Sequence, residues 1–230
     1  MAMPTLIYCA GGNRLFAQIA IDAGYQFGSQ LPNTVYHPVW FADQDWKQPN
    51  RAAYMASLAQ QRPVMASVLD WEIEDQLIEV LDWAEEAAQY VERVMLIPKI
   101  IGRISQLPRR IGGADVVLGF SVPTRYGGTA VPSWEFEGWP VHLLGGSPHA
   151  QQRIAHYMNV VSADGNMANL MATQRCQYWM PGNGDDPKNR YWPHLRGWMN
   201  RDAPAEAFRR SCHNIMAAWR ALAESNTAST

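Results

Sequence analysis

Three aspartates each close an apolar run: Asp43 after 39–42, Asp70 after 64–69 and Asp164 after 160–163. Asp45 follows Asp43 closely enough to stand in for it. Other runs end on Lys99, on Ser121 and on Gly145-Gly146. If these runs are parallel strands, their carboxyl ends share one face of the fold and the residues closing them meet there. Carboxylates brought together repel, which is tolerated where one must attack and another must handle protons. A carboxylate can bond to an anomeric carbon and leave it again, so glycosyl transfer or glycoside cleavage is the chemistry such a set suits. The plainer role for any single one of them is to cap the helix that follows.

The elements that would position these residues are legible as seven short apolar runs, 6–9, 39–42, 64–69, 94–97, 116–120, 141–144 and 160–163, with helical stretches between them. That alternation is the mark of β/α units. Several runs are aliphatic almost throughout, as strands buried on both faces are. The expectation is an α/β fold, a compact and irregular TIM-type (β/α) barrel. A helix over 73–91 keeps Ile73, Leu77, Leu81, Ala84, Ala88 and Val91 on one face. Two more are expected over 151–158, behind Ser147 and Pro148, and over 203–223, behind Asp202 and Pro204. Residues 169–202 mix Pro, Gly and aromatics without a period, which predicts an irregular appendage on the barrel end. One domain spans 1–230, with a barrel core over 1–168 and the irregular segment and C-terminal helix over 169–230.

Composition narrows the classes further. At 47% hydrophobic and 17% charged, the chain is too apolar to stay disordered. No apolar run reaches the ~18 residues of a membrane span, and the first residues lack a leader pattern. Cys9, Cys176 and Cys212 form no C-x-x-C pair, so a reducing, cytoplasmic setting without disulfides or structural zinc is expected. His149 and His156 have no third ligand at suitable spacing, and Gly11-Gly12 reads as a tight turn rather than a phosphate-binding dinucleotide loop; no metal or cofactor is expected.

Charge sums to nearly zero but is polarised. Residues 72–92 hold eight acids and no base, and 188–220 hold seven bases and two acids. The acidic run reads as a solvated helix face. In the basic segment Arg190, Arg196 and Arg201 interleave with Tyr191, Trp192 and Trp198, a mixture that suits phosphates and stacked bases. A Trp-rich packing segment with solvent-facing arginines accounts for it equally well. Arg103, Arg109 and Arg110, with Arg125 in a Gly-rich loop, are further candidates for a nucleic-acid backbone.

Four blocks, taken in order, resemble the queuine tRNA-ribosyltransferase (tRNA-guanine transglycosylase) superfamily. RAAYMASLAQQRPVMASVLDW at 51–71 is similar to its helix and a strand ending in a base-reading Asp, and 94–99 to its next strand. ADVVLGFSV at 114–122 is similar to the strand and loop that face the base. VHLLGGSPHAQQRIAHYMNVVSADGN at 141–166 is similar to its Gly-containing strand end, helix and strand ending in the nucleophilic Asp. Order and approximate spacing hold over 36–170.

The resemblance implies Asp164 as nucleophile, Asp43 (or Asp45) as general acid/base, and Asp70 as the carboxylate that reads the purine. It further implies Lys99, Gly119, Phe120, Ser121, Gly145 and Gly146 around the base, with Lys99 standing where the family has Gln. The family's Ser-Gly-Gly after the acid/base Asp and its Cys-x-Cys-x-x-Cys plus His zinc site are absent from this sequence. Short length and the missing zinc motif look like the compact phage-type enzymes that insert 7-deazaguanines into DNA. The implied partners are therefore DNA ahead of tRNA and a base such as 7-cyano-7-deazaguanine, in host cytoplasm if the source is a phage, with a homodimer compatible. A retaining glycoside hydrolase and a non-catalytic nucleic-acid-binding module are the rival expectations.

Overall fold

The structure, a computed structural model, describes residues 2–9, 11–124, 127–182, 191–195 and 202–227. Eight parallel strands close on themselves: β1 (Thr5–Tyr8), β2 (Gln26–Gln30), β3 (Phe41–Asp43), β4 (Met65–Trp71), β5 (Arg93–Pro98), β7 (Ala114–Ser121), β8 (Val141–Leu144) and β9 (Val160–Asp164). Each pairs with its successor in chain order, β5 pairs with β7, and β9 returns to β1. The two-residue β6 (Arg110–Ile111) lies outside the ring, antiparallel to β7. This is a TIM-type barrel, as the alternation of runs and helices implies.

The strand missing from the sequence reading is β2. Its sequence QFGSQ carries one large apolar residue, so it makes no apolar run. A Cβ on Gly28 would stand 2.9 Å from Ile7 Cγ2 and 3.0 Å from Cys9 Cβ, so the barrel interior has no room there for a side chain. The interior itself is filled by Ile7, Phe41, Met65, Met95, Ile97 and Val117. A larger apolar layer lies between the sheet and its helices.

Those helices are α1 (Arg14–Asp22), α2 (Arg51–Gln61), α3 (Leu77–Ala87), α4 (Pro148–Ala155), α5 (Met167–Arg175) and α6 (Ala203–Thr227). Among the described residues no α-helix follows β2, β5 or β7, which makes the barrel irregular. The helix expected over 73–91 opens with a 3₁₀ turn and ends at Ala87. Arg51 of α2 pairs with Asp82 and Glu86, so part of its acidic face is engaged rather than solvated.

The appendage expected over 169–202 starts as helix, since α5 runs through Arg175. Backbone hydrogen bonds then pair 176–180 with 191–195 in antiparallel fashion. α6 packs against α1, α4 and α5, burying Ala207, Phe208, Cys212, Ile215 and Trp219 at helical spacing. Phe208 stacks on Phe16 with ring centroids 4.7 Å apart. α6 therefore belongs to the wall of helices around the barrel. No helix among the described residues is long and apolar enough to cross a membrane.

Candidate active site

Side chains alternate faces along a strand, so every second residue enters the barrel and the last inward one stands at its mouth. Asp43 closes β3 in this way. Its Oδ1 accepts a hydrogen bond from Ser67 Oγ at 2.7 Å, and the same hydroxyl oxygen accepts from the Gln44 N–H at 2.9 Å. The Tyr54 hydroxyl of α2 lies 3.0 Å from the Ala42 carbonyl and 2.8 Å from that of Ser67, fastening β3 to β4. Burial pushes the Asp43 carboxyl up to about 7. The charges of Asp164 and Asp70 push the same way, while hydrogen bonds from Ser67 and Gln44 oppose them. Asp45 instead accepts the N–H groups of Lys47 and Gln48 and caps a turn. Of the two candidates, Asp43 is the one in the mouth.

Asp164 closes β9 and is 16% exposed. Its Oδ1 accepts from the Gly145 N–H at 2.9 Å. Gln151 of α4 donates to the carbonyl oxygens of both Gly145 and Asp164, locking the two strand ends together. Gly145 and Gly146 turn the chain with φ of +67° and +80°, and a Cβ on Gly146 would lie 2.5 Å from Val122 Cγ1. His142, fully buried in the barrel, lies below, its Nε2 3.8 Å from Asp164 Oδ1. Asp43 and Asp164 both act on Cys9, whose thiol is raised well above its ordinary range, first by burial and then by those two charges.

A register shift in β4 sets two residues, Val68 and Leu69, against Leu96 of β5. This bulge advances Asp70 to the barrel side, where Lys99 Nζ stands 3.5 Å from its Oδ2 and donates to Ser121 Oγ. Burial raises the Asp70 carboxyl, with Lys99 opposing. Open clefts flank this floor. One of ≈ 530 Å³ is lined by Cys9, Gln30, Asp43 and Asn166, and one of ≈ 520 Å³ by Gln44, Leu69, Asp70 and Gln76. Trp46 borders both and is 66% exposed.

Several expected contacts fall elsewhere. Phe120 points out of the barrel and packs edge-on against Phe136 at 5.1 Å, because it has the opposite parity to Ser121. Gly119 faces inward, enclosed below the mouth by Ile97, Leu144 and Met95. Arg110 pairs in register with Asp115 at the start of β7, the end of the barrel opposite the mouth, and forms an ion pair with it. Arg109 beside it lies over the Trp139 ring at 3.5 Å. β6 carries the chain back to that end, so neither arginine shares a face with Asp164. Arg103 is engaged by Glu74 through two N–H donors. Arg125, Arg190 and Arg196, with Arg201, lie outside the described residues.

Sequence reading missed Ser67, Trp46 and His142. Ser67 and His142 carry a signal nonetheless, each being a polar residue among apolar neighbours in the middle of a strand. No group of three or more His, Cys, Asp or Glu side chains among the described residues could hold a metal ion.

Fold and site together define an eight-stranded parallel TIM-type barrel with an acidic mouth, an architecture that hosts many chemistries. The chain belongs to a family of unknown function, DUF6610, whose profile matches residues 20–220. No curated protein matches it.

Proposed function

We propose that the protein exchanges guanine in DNA for a 7-deazaguanine through a covalent ester between Asp164 and the sugar. The observation that carries this reading is the pair at the mouth. Asp164 is held by one oxygen, and Asp43, which feels the charge of Asp164 across the mouth, is poised near 7, where it can both give and take a proton.

The target guanine must first leave the stack, since its glycosidic bond is out of reach in a duplex. An Asp164 oxygen then attacks C1′, the C1′–N9 bond breaks, and Asp43 supplies the proton that guanine takes away. In the second half the N9–H of the incoming base gives its proton to the Asp43 carboxylate. Its N9 bonds to C1′ as the ester C–O bond breaks and the electron pair returns to Asp164.

Lys99 and Asp70 suit the purine together. An ammonium donor beside a carboxylate acceptor complements the O6 acceptor and the N1–H and amino donors of guanine, an edge that 7-deazaguanines keep and adenine lacks. Leaving such groups unpaired costs on the order of 1–3 kcal/mol, which supports base selection. The exposed ring of Trp46 adds a flat surface at the rim on which a base can stack.

Incubation of DNA with labelled guanine tests the reading. The unaltered protein is expected to incorporate label and to form a protein–DNA adduct that survives denaturing electrophoresis. Asp164→Ala should lose both while remaining folded. Wild-type exchange by that variant overturns the assignment. Release of sugar from simple glycosides without base incorporation would favour a retaining hydrolase, and DNA binding untouched by either Asp substitution a non-catalytic module.

A further inference from the structure

His142 presents a buried ring nitrogen that needs an explanation. Its side chain is 0% exposed, Nδ1 lies 2.8 Å from Ser162 Oγ, and Nε2 has no hydrogen-bond partner among the described residues. Such a group costs free energy unless something answers it. Asp164 stands within reach of it. A register irregularity between β8 and β9 sets His142 opposite Ser162, and Asp164, two residues further along the same face, stands over the ring with Oδ1 3.8 Å from Nε2. Phe41 flanks the imidazole at 5.1 Å and limits its movement.

The surroundings select one tautomer. With hydrogen on Nε2, the Ser162 hydroxyl donates to Nδ1 and the Nε2–H points towards a carboxylate oxygen. With hydrogen on Nδ1, a bare lone pair faces that same negative oxygen. The Gly145 N–H already donates to Oδ1 from the other strand end. We infer that His142 is a positioning residue that joins the Gly145 N–H in clamping Oδ1 of Asp164, leaving Oδ2 as the oxygen that bonds the sugar. The inference rests on reading Asp164 as the nucleophile. Closing the gap by about 1 Å brings Nε2 into hydrogen-bond range. The clamp acts most strongly when the ester breaks, because the carboxylate then regains its full charge and the two donors stabilise it as a leaving group.

Two measurements on the full chain test this. In ¹⁵N-imidazole NMR spectra, His142 is identified by its contacts with the Phe41 ring. It should carry hydrogen on Nε2, and that nitrogen's resonance should move in Asp164→Asn. A bare Nε2, or no response to Asp164→Asn, overturns the clamp without reference to any activity. In the DNA exchange assay, the double variant His142→Leu/Ser162→Ala, which leaves no orphaned hydroxyl, should slow turnover on the order of 10²-fold. It should also accumulate the covalent adduct, because the ester breaks slowly. His142→Gln, whose amide N–H reaches towards the Nε2 position, should recover most of the rate. Equal loss in both variants, or slowing without adduct accumulation, removes the positioning role. If the unaltered protein exchanges no base, the transglycosylase reading falls while the NMR result still decides whether the clamp exists.

Discussion

Ser67 donates its hydroxyl hydrogen to Asp43 Oδ1 at 2.7 Å while its oxygen accepts the Gln44 N–H, so the acid at the barrel mouth is fixed in place by a side chain from the neighbouring strand. The contact favours the charged form. Burial outweighs it, and the carboxyl keeps its proton to about 7.

This has a consequence for stability. The folded value of about 7 lies above an unfolded aspartate near 4, so between those limits the native state binds the extra proton. The contribution of Asp43 is fully favourable below about pH 4 and is lost as pH rises through 7. Asp43→Asn removes the charge without changing the shape. It should be more stable than the unaltered protein at pH 8, by about 2–4 kcal/mol, and closely matched at pH 4. Urea titrations at the two pH values measure the gap, and one that stays constant contradicts the shift.

The Lys99–Asp70 pair predicts a non-additive pattern. Both side chains are mostly covered, at 19% and 30% exposed, so removing one takes the opposite charge away from the other. Lys99→Met and Asp70→Asn should each destabilise by about 1–3 kcal/mol, and the double variant by less than the sum. A double-mutant cycle by denaturant unfolding gives the coupling; strict additivity would mean that the two groups do not interact.

Gly146 combines a left-handed φ of +80° with no space for a side chain. Gly146→Ala forces a Cβ against Val122 and should cost about 1–3 kcal/mol, with further loss from the backbone conformation. Because the adjacent Gly145 N–H holds Asp164, base exchange should fall more than folding stability accounts for. Activity measured at a temperature where the variant is fully folded separates the two effects.

Asp43 and Asp164 are legible in the sequence because they close aliphatic runs, and parallel strands bring such ends together. β2 is not, since its inward position Gly28 is chosen for the space it leaves to Ile7 and Cys9 rather than for hydrophobicity. Strand parity is legible too, and it places Phe120 on the outer face, whereas the resemblance alone sets that residue around the base. Arg109 and Arg110 sit at the far end because a two-residue strand reverses the chain, a turn too brief for any periodicity to reveal. The bulge that advances Asp70 is equally invisible, since it depends on which residues of β5 the strand meets.

The sharpest test of the mechanism is that the two half-reactions should depend on pH in opposite directions. In the proposed mechanism release of guanine needs Asp43 protonated, so under single-turnover conditions without an incoming base, adduct formation should fall tenfold per pH unit once pH exceeds about 7. Transfer of the sugar to the incoming base needs Asp43 ionised, so decay of the isolated adduct should fall with the same slope at low pH, below a value lower than 7 because the esterified Asp164 no longer pushes Asp43 up. Turnover then peaks between the two values. Asp43→Asn should flatten both limbs and lower both rates, by roughly 10²–10⁴-fold, because the amide neither gives nor takes a proton. Limbs that keep their slopes in Asp43→Asn would assign the proton transfer to another group, and Asp70, also raised by burial, is the first to examine.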